Sequence, residues 1–193
     1  MSVAPAFRHD PNDVEELIDR CLGGDRSAWG ALYQLHRPRA VAFLRRLGVP
    51  ARETEDAWQE VFLQVFRYLA RFERRADFRT WLYKLCISQA ARWRRRAVLS
   101  RPLTWLGLAE PVTQPEWSTS RAVELVDRAL ARLSAGHRAA FVLFELEGLP
   151  AAGVARALGI PEASARRRIH EARTSFQAFL REQPFADKSK AGS

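Results

Sequence analysis

The sequence predicts an all-α chain, built as two small helical domains joined by a proline-containing linker. Three observations carry that expectation. Apolar residues recur at helical spacing through most of the chain, no strand-like alternation of useful length occurs, and glycine or proline falls between the periodic segments. The 193 residues, 47% of them hydrophobic, suffice for one ordinary domain or two small ones.

Residues 1–12 mix prolines with polar residues, show no period and read as a tail. A helix is expected from Asp13, which can cap while Glu16 takes the capping-box position. Leu17, Ile18, Cys21 and Leu22 share its face, and Gly23-Gly24 ends it. Asp25 or Ser27 starts a second helix, with Trp29, Leu32, Tyr33 and Leu35 on one side. Pro38 marks a bend or a new first turn, and Val41, Phe43, Leu44 and Leu47 lead to a stop at Gly48-Val49-Pro50. The third helix starts near Arg52, with Glu53, Glu55 and Asp56 in its first turn, where negative charge suits the helix dipole. Trp58, Val61, Phe62, Val65 and Leu69 form its buried stripe. Asp56, Glu60, Gln64 and Arg67 line a different side, which reads either as solvated surface or as a row for a partner. The fourth helix, with Asp77 able to cap it, runs from Phe78 to Val98 and packs Trp81, Leu82, Leu85, Cys86 and Ala90 inward.

Residues 99–120 read as an interdomain linker, because Pro102, Pro111 and Pro115 break helix and Gly107 adds freedom. Trp105 and Trp117 imply that part of it lies on a partner or a domain. The second domain begins near Ser118, and its first helix carries Ala122, Leu125, Val126, Ala129, Leu130 and Leu133. Ser134 caps the next, whose apolar set is Ala140, Phe141, Leu143, Phe144 and Leu146. Gly148 ends it, and Pro150 opens a short helix to Leu158. After Gly159-Ile160-Pro161 a last helix reaches about Arg181, and residues 183–193 read as a tail.

Charge narrows the function. The formal net charge is +9, and residues 67–101 hold eleven Lys/Arg against two Asp/Glu, so the remainder is neutral. Charge clustered this way suits a polyanion. Arg79, Tyr83 and Lys84, followed by Arg92, Arg95 and Arg96, set rings among cations, and unpaired nucleic acid needs rings to stack on and cations for its backbone. A helix with buried rings and a solvated charged end fits the same residues. In the second domain, small Ala155, Gly159 in the turn and small Ala165 give the spacing of a helix-turn-helix over 150–173, whose second helix would enter the major groove. An ordinary helical hairpin is the competing reading.

Other chemistry finds no support. There is no phosphate-cradling glycine loop, no local nucleophile–base signature and no paired carboxylates in an apolar setting, so no catalytic residue and no cofactor is assigned. Cys21 and Cys86 share no metal-ligand spacing with the four histidines; they read as buried thiols of a cytoplasmic protein. No basic-then-apolar leader opens the chain and no apolar run is long enough to span a bilayer, so direct membrane insertion is not expected.

Asp56-x-x-Gln59-Glu60-Val61-Phe62-Leu63, then Phe72, then Phe78-Arg79-Thr80-Trp81-Leu82-Tyr83 resembles region 2 of the bacterial extracytoplasmic-function (ECF) sigma factors. Leu133-Ser134, Arg138, Phe141, Glu147-Gly148-Leu149, Val154-Ala155, Leu158-Gly159-Ile160-Pro161 and Arg166-Arg167-Arg168-Ile169 resemble their region 4. The likeness covers residues 13–182 and implies region 2 over 13–98, a linker over 99–120 and region 4 over 121–182. It implies that Asp56, Gln59, Glu60, Leu63 and Gln64 bind core RNA polymerase. It implies that Arg74, Arg75, Phe78, Arg79, Trp81, Tyr83, Lys84, Ser88, Arg92, Arg95 and Arg96 bind the single-stranded non-template strand of the −10 element and help melt it. Ser164, Arg166, Arg167, Arg168, His170 and Arg173 would read the −35 element as duplex. Catalysis would stay with the polymerase, and an anti-sigma protein is an implied partner. A stand-alone helix-turn-helix regulator is the alternative reading.

Five departures from the family pattern bear on promoter choice. Ser88 replaces the usual Asn and Arg92 an acidic residue on the −10 helix; in region 4, Ala152-Gly153 stands where two glutamates are usual, Ala163-Ser164-Ala165 where Gly-Thr-Val is, and Glu171 where a basic residue is common. A helical Gly costs about 1 kcal/mol relative to Ala, and a carboxylate near phosphate weakens binding. The region 4 departures imply a divergent −35 sequence, or weak −35 binding that leans on core polymerase; Ser88 and Arg92 bear on the −10 preference.

Overall fold

The fold is a computed structural model that describes residues 11–99 and 121–182. Eight α-helices are described: α1 Pro11–Leu22, α2 Arg26–Arg46, α3 Ala51–Tyr68, α4 Phe78–Leu99, α5 Arg121–Arg132, α6 Ala135–Phe141, α7 Ala151–Leu158 and α8 Glu162–Glu182. A 3-10 turn, Leu69–Arg71, follows α3, and a π-helical turn, Val142–Leu146, follows α6. No strand occurs among the described residues. None of the helices is long and apolar enough to cross a membrane.

The first lobe is α1–α4. Asp25 caps α2 by accepting from the backbone N–H of Ser27 and Ala28, and Arg20 grips the same carboxylate at 2.7 Å. The Ser27 hydroxyl, which donates to Asp25 at 2.7 Å, and then Arg20 and the backbone donors hold the Asp25 carboxyl well below the usual carboxylate range. α2 neither restarts nor breaks at Pro38: it stays one helix of 21 residues. Pro38 removes one backbone donor, and the burial of Leu32, His36, Ala40, Phe43 and Leu44 on both sides of it holds the helix together. α1 begins at Pro11, two residues ahead of the expected start, with proline in the first turn where its missing N–H costs nothing. Trp58, Val61, Val65 and Leu69 are fully buried, as the stripe on α3 requires. Each contributes roughly 1.5–3 kcal/mol by leaving water.

The second lobe is α5–α8. Ser134 caps α6, accepting from the His137 N–H. The next five residues depart from α-helix. The Glu147 N–H donates to the Val142 carbonyl, so this turn holds an extra residue. The wider turn brings both Val142 and Leu143 inside, and Leu146, expected in the apolar set, swings out to solvent. α7 ends at Gly159, whose φ of +66° closes the left-handed cap; Ala155 and Ala165 are buried where α7 packs on α8.

The two lobes touch, which the notion of domains on a linker did not anticipate. α4 packs against α7, and one hydrophobic cluster runs through both lobes. Polar groups pin the contact. Arg46 of α2 donates to Glu147 at 3.1 Å, and the Tyr83 hydroxyl of α4 donates to the same carboxylate at 2.5 Å. The Glu147 side chain is only 4% exposed. Arg94 donates to the Leu47 carbonyl, and Arg138 lies over Gly48. Residues 1–10, 100–120 and 183–193, and with them the C-terminal tail, most of the linker and all of the N-terminal tail but Pro11 and Asn12, which are helical, lie outside the described residues.

Two predictions follow from this packing. Gly48 has φ +93°, and a Cβ there would sit 2.5 Å from the Arg138 guanidinium. Gly48→Ala therefore costs about 1–3 kcal/mol, read as a lower urea midpoint; an unchanged midpoint contradicts it. Burial pushes the Cys21 thiol up to about 11 and the Cys86 thiol higher still. Neither reacts with a thiol reagent at pH 8 in the native chain, and both react in denaturant.

Candidate nucleic-acid and partner interfaces

On α3, Asp56, Gln59, Glu60 and Leu63 are exposed, and Gln64 is half-buried with its amide donating to the Glu60 carbonyl at 3.4 Å. Helical spacing puts them on one side, because Trp58, Val61 and Val65 consume the other. The sequence reading missed Phe66 in this neighbourhood. Its ring is 61% exposed and lies 4.8 Å from Trp29 of α2, beside Leu63 at 50%. Phe66 falls one position off the buried stripe, so its spacing gave the only signal. The outer face of α3 is thus acidic at its start and apolar toward its end.

The loop between α3 and α4 and the start of α4 are an aromatic cluster. Phe72, Phe78 and Trp81 lie 5.4 to 5.6 Å apart, and His36 packs on Phe78. Asp77 caps α4 by accepting from the Arg79 N–H at 2.7 Å. Phe78 is buried, while Trp81 and Arg79 are half-buried. Arg74 adopts φ +53° and pairs with Asp19 and Glu15 of α1. Its neighbour Arg75 is exposed and pairs with Glu73.

Along α4 the expected set divides. Lys84, Ser88, Arg92 and Arg95 are exposed and recur at steps of four, four and three, so they share one face, with Arg96 beside them. Tyr83 does not join them. It is 2% exposed, its ring lies 4.5 Å from Phe43, and its hydroxyl is spent on Glu147. The expected flank of Tyr83 with Lys84 fails for a simple reason: adjacent helical residues point about 100° apart, and the core takes the larger ring. Burial and the Glu147 charge hold the Tyr83 phenol above its ordinary pKa, so it stays protonated and donates. In this arrangement Phe78 and Tyr83 present no face for a base to stack on.

α8 presents a second cationic surface. Arg166 and Arg167 are exposed, each with an acidic residue four positions away, Glu162 and Glu171. His170 is exposed and Ser164 half-buried. Arg168 and Arg173 turn back onto their own lobe. Arg168 lies over Gly136 of α6, while Arg173 pairs with Glu145 and stacks over Phe144 at 5.0 Å. Glu171 is held by His137 at 2.8 Å, which lowers its pKa, so its charge is partly spent inside the lobe. Among the described residues no cluster of His, Cys, Asp or Glu could hold a metal.

Comparison with known proteins decides the family. The model for Sigma-70 region 2 matches residues 32–98, and that for Sigma-70, region 4 matches residues 124–175. The chain belongs to the sigma-70 family, as an ECF sigma factor. It is 29% identical over 173 residues to the ECF RNA polymerase sigma factor SigM of Mycobacterium tuberculosis, covering 90% of this chain and 87% of that protein. It is 27% identical to the ECF RNA polymerase sigma-E factor of Escherichia coli, covering 81% and 88%. Among solved structures, CnrH in complex with the cytosolic domain of CnrY superposes with a TM-score of 0.66 at 23% identity, over 87% of this chain and 97% of that one. RpoE in complex with the anti-sigma factor NepR from Bartonella quintana gives 0.65 at 21%, over 78% and 94%. This sigma factor is therefore a transcription initiation factor that confers promoter recognition on core RNA polymerase. The presence of both regions in one chain disfavours a stand-alone helix-turn-helix regulator.

The geometry of α8 separates two arginines that the sequence treats alike. Arg173→Ala removes an ion pair and a ring contact within the lobe, and lowers the thermal midpoint. Arg167→Ala stays within about 0.5 kcal/mol of the parent. Equal effects in calorimetry would contradict this division.

Proposed function

We propose that this sigma factor divides its work among three helical faces. Asp56, Gln59, Glu60, Leu63 and Gln64 on α3 dock on core RNA polymerase. Lys84, Ser88, Arg92, Arg95 and Arg96 on α4, with Arg75, Arg79 and Trp81 near its start, hold the unpaired non-template strand of the −10 element. Ser164, Arg166, Arg167 and His170 on α8 enter the major groove of the −35 element, and Arg168 and Arg173 brace the lobe that carries them. The observation that supports this most is the solvent-facing row at Lys84, Ser88, Arg92 and Arg95 on a helix whose other side is buried. Cations at one-turn intervals track a phosphate backbone, and neighbouring Trp81 supplies a ring at the loop end.

Ser88 and Arg92 lie within that row, so their departure from the family pattern bears on which −10 bases are accepted. The short hydroxyl of Ser88 reaches less far than Asn, and Arg92 adds a phosphate contact where an acidic residue would repel one. Glu171 is a smaller obstacle to −35 binding than the sequence suggests, because His137 and Arg167 both engage it. The protein works in the cytoplasm and leaves nucleotide chemistry to the polymerase. An anti-sigma partner belongs to the same proposal, by likeness to the solved complexes with CnrY and NepR.

The test is transcription by core polymerase on this protein's own upstream promoter. A protein-dependent start site is expected, and Asp56→Arg should abolish co-purification with core while the circular dichroism is unchanged. Retained association would count against the α3 face. Replacing Arg92 and Arg95 together by Ala should flatten the salt dependence of holoenzyme binding to single-stranded −10 DNA by about 1.4 in log–log slope, at about 0.7 per cation. An unchanged slope removes them from the strand's path.

A further inference from the structure

The middle of the loop between α3 and α4 is held by a residue in an uncommon conformation. Arg74 has φ +53°, a left-handed backbone that residues other than glycine seldom adopt. Both ends of the loop are fixed within the first lobe. The Phe72 N–H donates to the Leu69 carbonyl and its ring packs on Phe78 and Trp81, while Asp77 caps α4. Between them Arg74 reaches across to α1, where its guanidinium meets Asp19 and, at 3.7 Å, Glu15. An uncommon backbone persists when contacts to its surroundings over-determine it, and here those contacts come from a separate helix.

α1 is arranged for this contact. Val14, Ile18 and Cys21 bury its other side, and it packs on the 3-10 turn Leu69–Arg71 that leads into the loop. Glu15 and Asp19 stand four residues apart on the exposed side. Like charges at that spacing repel along a helix, and a cation shared between them offsets the repulsion.

We infer, on the reading that the separated strand lies along α4 and the loop before it, that Asp19 and Glu15 are positioning residues for −10 recognition. Through Arg74 they hold the loop in the shape that meets the strand, and Arg74 itself is not a strand contact. A phosphate would have to displace two carboxylates to reach it. The guanidinium that the loop holds toward solvent is that of Arg75, whose side chain is 84% exposed. With Arg74 turned to α1, Arg75, Arg79 and Trp81 are the groups at the loop end of the row on α4. A loop that holds its shape only part of the time lowers the apparent affinity for the strand by that fraction. Neutralising Asp19 therefore weakens strand binding, although it removes a negative charge from the neighbourhood of the DNA.

The experiment uses the full chain in holoenzyme and a fluorescent single-stranded oligonucleotide carrying the non-template −10 sequence of this protein's own promoter. Asp19→Asn should weaken binding about threefold or more, the loss expected when the loop is competent a third of the time. Asp19→Glu, which keeps the charge, should restore most of the parent affinity. Arg74→Gly, which accepts the positive φ, should weaken binding as Asp19→Asn does and leave the log–log salt slope unchanged, whereas a lost phosphate contact lowers it by about 0.7. Tighter binding by Asp19→Asn, or a slope lowered by Arg74→Gly, makes Arg74 a strand contact and overturns the proposal. So does unchanged affinity in both variants. A second measurement needs neither polymerase nor DNA. Glutamyl endopeptidase should cut the free chain after Glu73 about threefold or more faster in Asp19→Asn than in the parent, since cleavage follows the population of the opened loop. Equal cutting contradicts the positioning role. A parent holoenzyme that does not bind the oligonucleotide overturns the −10 assignment and this one with it. Normal parent binding with unresponsive variants overturns this one alone.

Discussion

The burial of α4 along one side fixes what the rest of the first lobe can do. Phe78, Leu82, Tyr83, Cys86, Gln89 and Ala90 face inward, and the helix cannot rotate without exposing several of them at roughly 1.5–3 kcal/mol per large apolar side chain. With the rotation fixed, Lys84, Ser88, Arg92 and Arg95 are exposed among the described residues. A cationic row of this kind would repel itself if packed. It persists because the opposite face anchors it, while Trp93 donates to Glu53 of α3 and Arg94 to the Leu47 carbonyl. The same logic holds in reverse on α3, where Trp58, Val61 and Val65 bury one side and leave the acidic one outward. Two neighbouring helices thus present opposite electrostatics, one suited to a protein surface and one to a polyanion.

The second lobe rests on that frame through Glu147. A carboxylate so well buried is tolerable only while paired; removing a partner of a buried pair typically costs about 3–5 kcal/mol. Arg46 remains partly solvated while it makes that pairing. Gly48 completes the fit, since its positive φ favours glycine and Arg138 lies close over it at that turn.

Much of this was legible in the sequence. The buried stripe on α3, the Asp25 and Ser134 caps, the limits of α7 and the small residues at the helix-turn-helix crossing follow from local rules of period and capping. The misses are tertiary. The new first turn allowed at Pro38 does not form, because the core on both sides outweighs one lost hydrogen bond. The extra residue in the Val142–Leu146 turn has no local signature, and it moved Leu146 out and Glu147 in. Tyr83 read as a stacking ring because its neighbours are cationic. Pairwise neighbourhood in sequence said nothing of Phe43 and Glu147, which arrive from 40 and 64 residues away. Arg168 and Arg173 likewise belong to a basic run whose members part company only when the lobe folds around them.

We propose that the separated strand lies along the outward row on α4. A photoreactive side chain placed at Ser88, in the middle of that row, tests it in the assembled initiation complex. Crosslinks to the non-template strand within the −10 element are expected, with none to duplex DNA upstream. Crosslinks confined to polymerase subunits, or to duplex DNA alone, would contradict it.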